Sequence, residues 1–284
     1  MIRAYHARML GKFPKCLALI CFLVIALFGL WFTLPVYASD WDKSFRPAAW
    51  DYINFQSPYH PEQEAPFANA PWILPILAPF ALLPTRVGRL AFFIFNFACY
   101  LYTLRQLKAT RLATILFLLS PPVIKGLIEG QVDSIIMVGY TMPPMIGLFF
   151  LAAKPQIGIG LAVYWLYQAW QNGGVKQVII TFAPASIITG LAMAFHPGWL
   201  KTMTRMPNIW WNTSLWPYGI LVGAILLVTA IRSKRPTWAI SSSVFLTPYL
   251  TRTGWGTALI GLVDDNLLML TGFLTTWAIL FLSI

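Results

Sequence analysis

Long apolar stretches separated by short polar or basic turns set the pattern of this chain. The runs 16–34, 90–104 and 219–231 carry almost no charge. A helix crossing a bilayer core needs roughly 20 mainly apolar residues, so the pattern predicts an all-α, polytopic integral membrane protein. The stretch 71–84 is apolar too, but Pro71, Pro75 and Pro79 recur at every fourth position and remove backbone donors. At about 13 residues it is short for a span, which predicts a re-entrant or interfacial helix. Two further pieces, 132–142 and 145–153, are broken by Met142-Pro143-Pro144-Met145. Each is about 15 Å long as a helix, half a bilayer. Irregular backbone at membrane depth persists only where it is buried in protein or lines a cavity, so this pair marks a site.

With 17–35, 88–104, 112–128, 157–170, 177–195, 217–231, 237–250, 254–263 and 267–284, the expectation is about ten or eleven membrane segments. They belong to one transmembrane domain, 1–284, without a soluble domain or internal repeat. Segments 36–70 and 196–216 read as outer loops, rich in aromatic residues and proline.

Composition supports the membrane reading. Of 284 residues 58% are hydrophobic, mean hydropathy is +0.68 and only 10% are charged, against about 25% in soluble domains. The net charge of +11 lies on loops between spans, where cytosolic basic residues and anionic lipid account for it. Nucleic acid is therefore not an expected partner. Arg3, Arg8, Lys12 and Lys15 precede a first apolar run of about 19 residues, longer than a signal-peptide core. This predicts an uncleaved anchor in the cell membrane, N-terminus cytosolic. If 71–84 does not cross, Arg105, Lys108 and Arg111 fall inside and Glu129 to Asp133 outside. Cys16, Cys21 and Cys99 have no metal or disulfide spacing and read as apolar packing residues.

The nine acidic residues form three clusters: Asp40, Asp42, Asp51, Glu62 and Glu64; Glu129 and Asp133; Asp264 and Asp265. Carboxylates beside apolar segments mark a site or a membrane boundary. Asp40 and Asp42, directly after the first run, suit a general base or oxygen ligands, or else begin a solvated loop. Lys154, before Pro155, suits a phosphate as a point charge, or else snorkels to the interface. Gln131 and Asp133 stand where a half-helix begins, suited to binding a sugar or anion or simply to capping. Arg252 is either a phosphate partner or an interface anchor. His196 reads as structural, and Asp264 and Asp265 as turn residues. No cofactor is called for, and nothing in the spacing supports a metal.

The order of short motifs along the chain resembles a known family. It runs from Asp40 through Ser57-Pro58-Tyr59, Pro66-Phe67, Ala81-Leu82-Leu83-Pro84, Gly130-Gln131-Val132-Asp133 and Lys154-Pro155-Gln156 to Ser214-Leu215-Trp216-Pro217 and Pro248-Tyr249-Leu250. This resembles the GT-C membrane glycosyltransferases, most closely the polyprenol-phosphate-mannose-dependent mannosyltransferases of glycosyltransferase family 87. The resemblance implies a GT-C-like fold and inverting transfer of a hexose from a polyprenyl-phosphate sugar donor. The acceptor would be a glycan or glycolipid on the outer face, with membrane lipid around the enzyme. It implies Asp40 as catalytic base, with Asp42 completing a D-x-D form. Gln131, Asp133, Lys154 and Gln156 then lie in matching motifs, Arg252 assists at the phosphate, and the aromatic loop with Trp216 covers lipid or sugar. A lipid or small-molecule transporter is the competing reading, since broken helices also suit a translocation path.

Overall fold

The computed structural model describes residues 28–35 and 37–282. By packing, the chain divides into two units, Met1–Tyr37 and Ala38–Ile284. In the first, residues 28–33 are helical, and the Phe28 and Phe32 rings lie 4.7 Å apart. Most of the expected first span, with Cys16, Cys21 and the basic residues before it, lies outside the described residues. Everything below concerns the second unit.

Among the described residues 75% are helical and none lies in a strand. Proline starts many of the helices. Pro121, Pro144, Pro197 and Pro236 each occupy the first position of a helix. There the missing N–H is one that no intrahelical acceptor would have met, and the ring presets the backbone angle. Proline also breaks the segment expected at 112–128. Arg111–Leu118 and Pro121–Glu129 are bent by 56° across Ser120-Pro121, because the residue before a proline is pushed out of helical geometry.

By length and composition, helices able to cross a membrane are fewer than the ten or eleven segments expected. Among the described residues two helices are long and apolar enough to cross a membrane, Thr85–Gln106 and Ile159–Phe195, or three if the bent pair is one span. The pieces expected at 237–250 and 254–263 are only short turns of helix, Pro236–Ser242 and Gly256–Ile260 with flanking 3-10 turns. The segments expected at 157–170 and 177–195 are present as two helical limbs within Ile159–Phe195, parted by the non-helical Gly173 and Gly174 inside the expected turn. In the most apolar stretch of Ile159–Phe195 only 11% is buried within the protein, which is consistent with membrane association. Pro71–Ala81 is helical but short, and the two broken pieces appear as Asp133–Val138 and Pro144–Ala153.

The expected outer loops are partly helical as well. Trp41–Phe45 forms a π-helical turn that runs into the helix Arg46–Ile53. Its buried residues Trp41, Phe45, Ala48 and Ala49 recur at helical spacing. In the second loop Pro197–Arg205 is a helix that buries Trp199.

Two apolar clusters form the core. One gathers Trp41, Leu74, Phe92, Ile136 and Trp199; the other gathers Phe117, Met137, Leu161, Trp165 and Leu259. The first cluster sets the position of Asp40. The neighbouring Trp41 is fully buried and stacks on Phe92 with centroids 4.5 Å apart. Gly130 ends the Pro121–Glu129 helix in the left-handed conformation (φ 72°), and a β-carbon there would stand 2.8 Å from Trp41 Cβ. The glycine thus permits both the turn and the close approach. Gly130→Ala is expected to destabilise the fold by about 1–3 kcal/mol, read as a lower Tm in detergent; an unchanged Tm would contradict this packing.

Candidate functional site

Four polar side chains from three segments form a continuous chain beneath a cavity. Asp40 stands at the start of the π-helical turn, with αR backbone angles. The left-handed turn at Gly130 brings Gln131 back toward it, and Gln131 Nε2 donates to Asp40 Oδ2 at 2.5 Å. Lys154 ends the Pro144–Ala153 helix in non-helical geometry (φ −146°, ψ 73°), as expected for a residue before proline. Its Nζ donates to Gln131 Oε1 at 3.0 Å and pairs with Asp133 Oδ1. The Lys154 and Asp133 side chains are 3% and 0% exposed, so the pair is withdrawn from water. Because Lys154 takes the carbonyl end of the Gln131 amide, the NH2 end is the one turned to Asp40.

The Asp40 carboxyl is pushed up to about 6, first by burial and then by the nearby Glu129 charge. The Gln131 donor and the Lys154 charge act the other way and only partly offset this. Glu129 itself is held by Lys125 at 2.7 Å, one helical turn earlier.

The cavity measures about 320 Å³ and is walled in part by Asp40, Gln131, Lys154, Gln156 and Arg252. Five of the eight residues singled out from sequence therefore share one space. Asp133 is a sixth member at one remove: it lies behind the wall and reaches the cavity through Lys154.

Two of the eight depart from expectation. Asp42 does not line the cavity; its Oδ2 accepts the Ala38 N–H at 2.7 Å, so it serves the local turn and not a shared Asp40-Asp42 pair. Trp216 is also absent from the wall and 47% exposed. Trp210 and Trp211 take the place expected for it. Asn212 explains this, since it receives the Leu250 N–H at 3.0 Å and donates to Pro248 O at 2.8 Å. That staple holds the loop by residue 212 and leaves Trp216 beyond it.

The expected phosphate role of Lys154 changes too, because Asp133 already matches its charge. Arg252 is exposed and makes no salt bridge among the described residues. The other basic side chains on the wall, Lys43 and Lys125, pair with Glu64 and Glu129.

His196 stays structural, its ring 5.6 Å from that of Tyr59. Asp265 caps the Asn266–Leu282 helix by accepting the Leu267 and Leu268 N–H groups at 2.9 and 3.1 Å. Among the described residues no group of three or more His, Cys, Asp or Glu side chains is placed to hold a metal ion. Sequence reading missed Lys125 and Asn69 on the wall, and Tyr249 entered it only as part of the motif Pro248-Tyr249-Leu250. The i, i+4 spacing of Lys125 and Glu129 was a signal for Lys125; Asn69 had none.

Comparison with family models, curated proteins and solved structures finds no match to this chain.

Removing one member of a buried ion pair leaves an uncompensated charge, at a cost of about 3–5 kcal/mol, whereas replacing both is close to neutral. Lys154→Met is therefore expected to lower Tm sharply, and Lys154→Met with Asp133→Leu to recover most of the loss. Equal Tm values for the single and double variants in thermal unfolding would refute the pairing.

Proposed function

We propose that this protein is a membrane glycosyltransferase that moves a hexose, mannose-like, from a polyprenyl-phosphate sugar to an acceptor hydroxyl. The observation that carries this reading is Asp40, a largely buried carboxylate of raised proton affinity, on the wall of a cavity whose one unpaired cation among the described residues is Arg252. A base of this kind is deprotonated at neutral pH yet takes a proton readily. The acceptor oxygen forms its bond to the anomeric carbon as Asp40 receives the hydroxyl proton. The bond from that carbon to the phosphate oxygen breaks, and the polyprenyl phosphate leaves with the electron pair, its growing charge met by Arg252. A single displacement of this kind inverts the anomeric centre.

Lys154 then acts through Gln131, aiming the amide that orients Asp40, in place of the phosphate contact expected from sequence. A second cavity, about 270 Å³ and lined by Ile159, Met203 and Leu246, shares Gln156, Met206 and Tyr249 with the first. Two adjoining cavities with largely apolar walls, one of them carrying charged side chains, suit a substrate with a charged head and a hydrocarbon tail. The acceptor is a glycan or glycolipid, and the site faces outward from the cell membrane.

The test is transfer by the purified full chain in detergent or nanodiscs, using polyprenyl-phosphate mannose and polyprenyl-phosphate glucose. Asp40→Asn is expected to reduce kcat about 100-fold or more, and Arg252→Ala to reduce kcat/KM about 10-fold. Because Asp40 must be ionised, wild-type activity should rise through pH 6 and level off above it. The sign for stability is opposite. The folded state binds this proton more tightly than the unfolded chain, so a contribution present at low pH is lost as pH rises from about 4 to about 6. Asp40→Asn should remove that dependence of Tm. Undiminished transfer by Asp40→Asn would sink the assignment.

A further inference from the structure

Two helices of the protein end in the same way. Thr85–Gln106 closes with the Ala109 N–H bonded to Leu104 O at 2.9 Å, and Ile220–Ser233 with the Arg235 N–H bonded to Ala230 O at 3.0 Å. Each bond reaches back five residues over one left-handed residue, a helix stop at which glycine usually stands. Here that residue is a lysine both times, Lys108 at φ 57° and Lys234 at φ 55°. A side chain in this region is strained, and glycine would relieve it. A cation near a helix C-terminus is favourable, but Arg105 and Arg232 in the two last turns already supply it. The second cation at each end has another use.

The two ends flank one turn. A β-carbon at Gly261 would stand 3.2 Å from Thr237 O, just past Arg235, and Asn266 is hydrogen-bonded to Thr110 beside Lys108. Arg105, Lys108, Arg111, Arg232, Lys234 and Arg235 are therefore gathered around residues 261–266. All six are exposed, and none makes a salt bridge among the described residues. Of the acids in the turn, Asp265 is already engaged by the Leu267 and Leu268 N–H groups. Exposed apolar side chains stand one helical turn away, Leu101 before Arg105, Ile115 after Arg111 and Val228 before Arg232. This end is also remote from the cavity. Phe92, which stacks on Trp41 next to Asp40, is thirteen residues before Arg105, about 20 Å along the helix.

We propose that this basic end is a binding site for the phosphate of an anionic phospholipid, with Lys108 and Lys234 as its principal ligands. Unpaired cations set directly above exposed apolar side chains match a lipid, whose phosphate meets the first and whose chains meet the second. A nucleic acid or an acidic protein would use the charge and leave the apolar band unmatched. A general excess of basic residues at a membrane surface calls for no strained backbone; two left-handed lysines mark defined positions. The inference does not depend on the transferase reading.

The test uses the purified full chain in detergent, mixed with three parts phosphatidylcholine to one part phosphatidylglycerol, with bound lipid counted by native mass spectrometry. Wild type is compared with Lys108→Gly/Lys234→Gly and with Lys108→Arg/Lys234→Arg. The wild type should retain phosphatidylglycerol in preference to phosphatidylcholine. One basic side chain near an anionic surface strengthens binding about 5-fold, so the glycine variant should lose about 10-fold or more of that preference. The arginine variant should keep it. Without added lipid, Tm of the glycine variant should be unchanged or higher by a few degrees, since two strained residues are relieved. No preference in the wild type, or an equal one in the glycine variant, overturns the proposal. So does an arginine variant as depleted as the glycine variant, because charge is then not the cause. A lower Tm in the glycine variant would show that the lysines serve the helix ends, and would overturn it as well.

Discussion

The buried pairing of Lys154 with Asp133 is the constraint on which the site depends. Neither charge is tolerable alone at that depth, and each brings a separate piece of backbone with it. Asp133 opens a helix of only six residues, and Lys154 closes another held out of helical geometry by Pro155. Joining them fixes the ends of two broken helices against one another. The geometry of Gln131 and then of Asp40 follows from that junction. A charge pair of this kind adds little net stability against an apolar alternative; its contribution is a defined arrangement.

The carboxylate at the end of the chain of contacts is tuned by opposing influences. Burial and Glu129 raise its proton affinity, and Gln131 with Lys154 restrains the rise. Without the restraint its proton affinity would rise further and less of it would be ionised to accept a proton. Without the burial it would be an ordinary weak base in water.

Much of this was legible in the sequence where a local rule applied. Pro155 after Lys154 predicts an extended lysine at a helix end, and Met142-Pro143-Pro144-Met145 predicts the break between two short helices. Both are present. The convergence of Asp40, Gln131, Lys154, Gln156 and Arg252 was visible only as an order of motifs, and the fold supplies the shared space. What stayed hidden depended on partners far along the chain. Nothing near Lys154 says that Asp133 will take its charge, and nothing near Trp216 says that Asn212 will staple the loop to Leu250. Asp42 looked like a partner of Asp40 because two carboxylates stand two residues apart, but its oxygen is within reach of a free N–H at Ala38. Helix length supports fewer spans than the sequence suggests. The breaks at Pro143-Pro144 and Gly173-Gly174 fall where the sequence places them, whereas the 56° bend before Pro121-Pro122 divides a segment that hydropathy reads as continuous.

The two glycines inside Ile159–Phe195 illustrate how such a division works. At about 1.5 Å per residue an unbroken rod of 37 residues would extend about 55 Å, some 25 Å beyond the hydrocarbon thickness of a bilayer. Broken at Gly173 and Gly174, it becomes a limb of about 21 Å up to Asn172 and another of about 32 Å from Val175 onward. The second alone matches the thickness of a bilayer core. The exposed Gln171, Asn172 and Lys176 crowd the joint, where a polar collar can meet water. The break thus divides an apolar run longer than a bilayer core into one limb of bilayer length and a shorter limb that begins just after Gln156.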